Sequence, residues 1–361
     1  MLLLLAVGCT TPPPPAEAPS ARVSDYRAPA GLLLAAPTRE GQEAENRTFR
    51  VLEDLIAHTP AGERIRIVGS SFSYVPVAEA LVAAHERGVQ VQVLLHDVAN
   101  RGWKAPEVLR AGLGQDPEAD SWVRLAPGGL HQKVWSFTRT GRSRDVTLTG
   151  SMNLTYHSAG QYTDMWSWVD RPDVRRALDR RFDQLVRGLP DPPPAGPREL
   201  GRERIWFHPG RDGAPDPVAV QLAAVPPEGA RIRVVMYAWL DERGLDLARL
   251  LVAKDRLGAD VEVVLGRSTG PQVRDLLVGS GVEVHPGVFE DGDDVHHKLT
   301  VVAGPGRGHD FALTGSDNFT QASLGRPELL LRLDRPQALA AYDRWIDRLI
   351  ARGEREQAGG N

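Results

Sequence analysis

The 361-residue chain reads as an α/β protein made of two similar half-domains, each with a sheet and flanking helices. Three observations predict this. Strand-like and helix-like segments alternate, and they do so twice in the same order. A His-x-Lys followed by Gly-Ser-x-Asn occurs once in each half, at identical spacing. A proline-rich stretch, 190–197, falls between the two copies and has the composition of a linker.

Residues 1–9 are a short apolar run that ends in small residues before Cys9, the one cysteine. A single cysteine excludes an intrachain disulfide. The run resembles the end of a bacterial lipoprotein signal, in which Cys9 would carry the lipid. It reads as a truncated segment of that type, because a basic leader and an apolar core of about 7–15 residues are missing. Residues 10–40 are rich in Pro and Ala, with Pro12–Pro15 consecutive, and are expected to form a stiff tether. The resemblance implies a lipid-anchored protein of the bacterial cell envelope, facing the periplasm or the exterior.

The first half-domain is expected over 41–189. It has a helix at Glu43–His58, a strand at Arg64–Val68, a helix at Val77–Arg87 closed by Gly88, and a strand at Val89–Leu95. The second is expected over 198–353, with a strand at Arg231–Val235, a helix at Gly244–Leu257 closed by Gly258, and a strand at Val261–Leu265. Gly at a helix end before a β-branched run marks a helix stop and a strand start in both copies. Each half then predicts a hairpin: Lys133–Thr138 and Val146–Thr149 around a turn at 139–144, and Leu299–Ala303 and Phe311–Thr314 around a turn at 304–309. A last strand (Met165–Val169; Leu329–Leu333) and a charged amphipathic helix (173–188; 337–352) close each half. The Arg175-Arg176 and Arg180-Arg181 pairs read as a solvated helix face. Residues 354–361 are expected to be a flexible tail.

A net charge of -4 and a pI near 6.2 give no global electrostatic case for nucleic-acid binding. No segment after the N-terminus approaches the roughly 18 apolar residues of a membrane span.

The chemistry lies in the doubled motif. His131-Gln132-Lys133 is followed 22 residues after its His by Asn153, within Gly150-Ser151-Met152-Asn153. His296-His297-Lys298 is followed 22 residues after His296 by Asn318, within Gly315-Ser316-Asp317-Asn318, and the copies lie 165 residues apart. A single His-x-Lys is noise, whereas two copies tied to the same downstream motif point to a two-histidine site built across an internal duplication. His297, adjacent to His296, should face the opposite side of its strand.

This arrangement resembles the phospholipase D superfamily over roughly residues 41–352. The resemblance implies a pseudo-twofold pair of half-domains with mixed sheets and one shared active site. It implies a metal-independent phosphodiesterase with no cofactor. One histidine, taken as His131, would attack phosphorus to form a phosphohistidine, and His296 would act as general acid. Lys133, Lys298, Asn153 and Asn318 would hold the phosphate charge, and Ser151 and Ser316 would bind and support at the pocket. Asp164 and Glu328 would each fix the tautomer of a catalytic histidine.

One departure is specific. The family's motif has an Asp seven positions after the His, where this chain has Thr138 and Ala303. Both copies instead carry an acid at the start of the return strand, Asp145 and Asp310, most simply read as ending the turns. The first expectation for substrate is a phospholipid head group, hydrolysed or transferred by a monomer at a membrane. A nuclease of the same superfamily, or a non-catalytic envelope binding protein with a degenerate site, are the rivals.

Overall fold

The structure is a computed structural model, and it describes residues 24–188, 193–306 and 308–359. Cys9, and with it the signal segment, lies outside the described residues, as do parts of the tether and of the linker. Among the described residues, no helix is long and apolar enough to cross a membrane.

In chain order the first half holds β1 (Gly31–Ala35), α1 (Arg47–Ala57), β2 (Arg64–Gly69), α2 (Val75–Glu86), β3 (Gln90–His96), α3 (Asp97–Asn100) and α4 (Lys104–Leu113). It continues with β4 (Trp122–Ala126), β5 (Val134–Thr140), β6 (Ser143–Gly150), α5 (Tyr156–Ala159), β7 (Gln161–Trp168) and α6 (Pro172–Gly188). The second half holds β8 (Arg198–Leu200), β9 (Glu203–Phe207), α7 (Pro217–Ala223), β10 (Arg231–Trp239), α8 (Asp241–Arg256), β11 (Asp260–Thr269), α9 (Pro271–Ser280) and β12 (Glu283–Pro286). It ends with β13 (Asp294–Val295), β14 (Lys298–Ala303), β15 (Phe311–Gly315), α10 (Gln321–Gly325), β16 (Leu329–Leu333) and α11 (Pro336–Gly359).

The duplication is visible strand by strand. One sheet runs β1-β7-β6-β5-β2-β3-β4 and the other β9-β16-β15-β14-β10-β11-β12, with β8 added outside β9. In each, three strands are parallel (β2-β3-β4; β10-β11-β12) and the remainder form an antiparallel meander. The strand–helix alternation accounts for the parallel part, since parallel neighbours need a crossover. β13 crosses between halves and pairs in parallel with β7.

Three expectations are corrected. The tether does not extend to residue 40: Gly31–Ala35 pairs antiparallel with β7, because Leu33 and Ala35 bury their side chains in the first half. The tail begins no earlier than the end of α11, which stays helical to Gly359. The turn at 139–144 shrinks to Gly141-Arg142, with Arg139 paired to Arg144 and Thr140 to Ser143. Its composition looked loop-like, but Thr140 and Ser143 are buried, and Thr140 Oγ1 donates to the Leu55 carbonyl at 2.9 Å.

The core has three parts. Two outer layers pack α1, α2 and α4 on the first sheet, and α7, α8 and α9 on the second. Between the sheets lies a continuous apolar layer, with Val174, Leu178 and Phe182 of α6 and Tyr342, Ile346 and Leu349 of α11. Each fully buried Leu, Val or Phe there is worth about 1.5–3 kcal/mol of transfer free energy. The layer locks the halves into one body. It also explains why the α6 arginines are not all solvated: Arg176 and Arg180 are exposed, but Arg181 is buried and donates to the Pro193 and His208 carbonyls.

Candidate active site

The site forms where the two halves meet. His131 and Lys133 lie in the segment leading into β5, whose first residue is Val134. Their counterparts His296 and Lys298 lie at the start of β14. In both copies the lysine turns back on its own motif: Lys133 Nζ donates to the His131 carbonyl at 2.6 Å, and Lys298 Nζ to the His296 carbonyl at 2.7 Å. His and Lys two residues apart thus share one side of an extended segment, as strand alternation requires.

The acids break the symmetry. Glu328, at the head of β16 in the second half, places Oε1 2.7 Å from Nδ1 of His131 in the first. The backbone closes the same seam: the His131 and Gln132 amides donate to the Pro327 carbonyl, and Gln132 Nε2 donates to that of Glu328. Asp164 does not do the same for His296, and the expected role is corrected there. Its carboxylate accepts from Ser151 Oγ (2.7 Å), Thr314 Oγ1 (2.5 Å) and Tyr342 Oη (2.7 Å). Those donors occupy the carboxylate, and Nδ1 of His296 instead lies 2.8 Å from the Ser151 carbonyl oxygen.

The serines also differ from expectation. Ser151 and Ser316 are fully buried and point at the acids, not at open space: Ser151 Oγ donates to Asp164, and Ser316 Oγ donates to Glu328. Each hydroxyl in turn accepts the backbone amide of the β7 or β16 residue beside it, Asp164 or Leu329, at 3.0 Å. They support the acids. The preceding glycines have a backbone reason. A Cβ on Gly150 would lie 2.1 Å from the Asp164 carbonyl oxygen, and Gly315 sits at φ +126° with the Leu329 carbonyl 2.3 Å from its would-be Cβ.

Asn153 and Asn318 each have a buried side-chain Oδ1 without a hydrogen-bond partner among the described residues. Buried amides are normally satisfied, and an orphaned carbonyl oxygen calls for a donor. Turning the amide over would present its NH2 end to an anion.

Four potential cations meet in this pocket, and their pKa values respond. Burial pushes His131 down to about 3, against the opposing pull of Glu328, and pushes Lys133 down to about 7. His296 and Lys298 are also driven well below their ordinary values, by burial first and then by the neighbouring positive groups. Burial alone would raise Glu328, yet His131, Arg326 and Lys133 hold it below the usual carboxylate range. The pocket is therefore short of negative charge and suited to an anion.

Residues outside the motif complete the pocket. Arg326 donates through Nε to Glu328 Oε1 at 3.0 Å. The Tyr237 ring lies 4.4 Å from that of His296, with Lys298 Nζ 4.7 Å from its centroid. Asp317, inside the second Gly-Ser-x-Asn, forms a two-pronged pair with Arg243 at 2.8 and 2.9 Å, where the first copy has the apolar core residue Met152. The proximity of Arg326 to Glu328 in sequence was a usable signal, whereas Tyr237 and Arg243 arrive by tertiary packing. His297 faces away from the pocket and accepts from Trp345 Nε1 at 3.1 Å. Thr138, at the position of the family's Asp, bonds Glu63 and the Arg64 amide at the edge of β2. Asp145 pairs with Arg175, and Asp310 accepts the Gly304 amide across its turn.

Residues 54–186 match the family model described as "Cardiolipin synthase, PLD-like domain". No curated protein sequence matches the chain. Among solved structures, polyphosphate kinase from Porphyromonas gingivalis aligns with a TM-score of 0.58 at 16% identity, over 88% of this chain and 49% of that one. This chain thus spans about half the length of that kinase. A mutant of yeast tyrosyl-DNA phosphodiesterase aligns with a TM-score of 0.50 at 9% identity, over 78% of this chain and 84% of that one. Nuc from Salmonella typhimurium, a phospholipase D family member, aligns at 17% identity over 43% of this chain and 95% of that one, with a TM-score of 0.34. The match to the PLD-like domain model thus spans residues 54–186 of the first half, and the His-x-Lys and Gly-Ser-x-Asn motifs of that half recur on matching strands of the second.

Proposed function

We propose that the protein is a metal-independent phosphodiesterase that works through a phosphohistidine on His131. The observation that carries this reading is the cross-half pair of His131 with Glu328, set beside two buried lysines. Glu328, with Oε1 2.7 Å from Nδ1, is placed to keep the proton there, which leaves the Nε2 lone pair to attack phosphorus. As the N–P bond forms the imidazole becomes cationic, and the adjacent carboxylate stabilises that charge. His296, whose Nδ1 meets the Ser151 carbonyl oxygen and, at 3.4 Å, Lys298 Nζ, lacks such a counterion and suits proton transfer. The bound phosphodiester anion raises the His296 pKa so that Nε2 takes up a proton, and that proton passes to the leaving alkoxide as the P–O bond breaks. His296 then takes a proton from water, the water oxygen attacks phosphorus, the N–P bond breaks, and His131 is regenerated. Lys133, Lys298, Asn153 and Asn318 hold the phosphoryl oxygens through both steps. General acid–base help of this kind supplies roughly 10²–10⁴-fold in rate.

The substrate class we favour is a phospholipid, with hydrolysis or transfer at the head group. The family model's description and the lipoprotein-like N-terminus support it. On the same grounds we place the protein in the bacterial envelope, anchored through Cys9 and acting as a monomer. The test is a panel of a phospholipid vesicle, an aryl phosphodiester and single-stranded DNA, each with EDTA present, on wild type and His131→Ala. Turnover of the vesicle that His131→Ala abolishes is the expected result. Turnover of DNA alone would move the assignment to a nuclease. A folded protein that turns over none of the three would leave a binding protein.

A further inference from the structure

We propose that Glu262, Glu283 and His285 form a divalent transition-metal site at the edge of the second sheet, outside the catalytic motif and independent of the activity above. Glu262 on β11 and Glu283 on β12 are direct partners in the parallel register. Two like charges placed opposite one another on neighbouring strands destabilise the pair unless a cation sits between them. His285 lies two residues beyond Glu283, on the same face of β12. It is 7% exposed, and among the described residues its Nε2 faces the two carboxylates without a hydrogen bond of good geometry to either. That nitrogen lies 3.4 Å from Glu262 Oε1 and 3.3 Å from Glu283 Oε1.

These separations match a metal's geometry. Two ligands at about 2.1 Å from zinc, at a tetrahedral angle, lie about 3.4 Å apart. All three donor atoms fall within 4.8 Å of one another, the one such group among the described residues. The surroundings hold the donors in place. Arg233 engages the other Glu262 oxygen, Oε2, at 2.5 Å, which leaves Oε1 turned to His285. Arg233 is itself fixed by the Asp343 carbonyl and by Asp347 on α11. Arg231 approaches Oε2 at 3.7 Å and adds no contact to the Oε1 side. Glu283 is 63% exposed in its side chain, so an ion reaches the site from solvent. One nitrogen and two carboxylate oxygens, with room for water, suit Zn2+ and its neighbours over Ca2+ or Mg2+. Among the described residues β12 pairs only with β11, and an ion shared between them would pin this edge strand.

The test uses the whole chain, stripped with chelator and then titrated with Zn2+ by calorimetry and with Co2+ by visible absorption. One ion per chain is expected. Glu283→Gln and His285→Ala should each weaken binding at least about tenfold, as loss of a ligand or its support does, while His131→Ala binds as wild type does. Zn2+ should raise the melting temperature of wild type but not of His285→Ala. Glu283→Gln, at an exposed position, keeps the test valid if His285→Ala fails to fold. The proposal is overturned by no saturable binding at millimolar Zn2+, by binding undiminished in both variants, or by binding lost in His131→Ala.

Discussion

Glu328 and His131 come from different halves of the chain, yet their side chains meet at 2.7 Å, while the matching acid Asp164 is taken up by Ser151, Thr314 and Tyr342. The duplicated sequence therefore folds into an unsymmetrical site. One histidine has a carboxylate behind it, and the other has a backbone carbonyl.

The asymmetry predicts unequal effects for the two acids. Glu328→Gln should lower kcat by about 10²-fold or more, because the tautomer and charge of His131 lose their support. Asp164→Asn should change kcat much less and appear mainly as lost stability. Steady-state kinetics beside thermal melts of both variants decide this. Equal kcat losses would contradict the assignment of roles.

The intermediate should be trappable on one side only. Acid quenching during turnover, followed by peptide mapping, should find phosphate on the His131 peptide. With the aryl phosphodiester, whose leaving group departs without an acid, His296→Ala should let that adduct accumulate, since its hydrolysis needs the water-activating base. Phosphate on the His296 peptide would reverse the two histidines.

Anion binding should take up protons. In the free protein Lys133 titrates near 7, and both histidines and Lys298 are depressed, so the pocket holds few protons in mildly alkaline buffer. A bound phosphate raises these values and draws protons in. Calorimetry of inorganic phosphate in two buffers of different ionisation enthalpy should report net uptake, reduced in Lys133→Met. The sign for stability follows from the same shift. Between about 7 and the ordinary 10.5 the unfolded chain holds a proton on Lys133 that the folded one lacks, so this group's contribution to stability rises with pH across that window.

Tyr342→Phe removes a donor from a fully buried carboxylate that joins α11 to the first half. A loss of about 1–3 kcal/mol is expected in denaturant melts. Gly150→Ala should be worse for activity, because its Cβ would meet the Asp164 carbonyl at 2.1 Å and displace β7 or the Ser151 loop.

Much of this architecture could be read from one sequence. The β-branched runs at Arg64–Val68 and Arg231–Val235, and the glycines closing the helices before Val89 and Val261, carry local signals that survive folding. Strand β1 and its counterpart β9 were missed, because GLLLA and ERIWF are short and their partners, β7 and β16, lie far along the chain. Arg181 reads as surface because composition cannot show that α6 is covered by a sheet on each side.

By itself the sequence determined the duplication, the strand–helix order and the His, Lys and Asn of the pocket, since motif spacing and hydrophobic periodicity are properties of neighbouring residues. Only the tertiary structure decided which acid serves which histidine. That choice depends on how β16 abuts the segment before β5 across the seam, and on whether Thr314 and Tyr342 reach Asp164 first. Hydrogen-bond partners compete at distances of a few ångströms between residues more than a hundred positions apart, and two equal motifs therefore end in unequal sites.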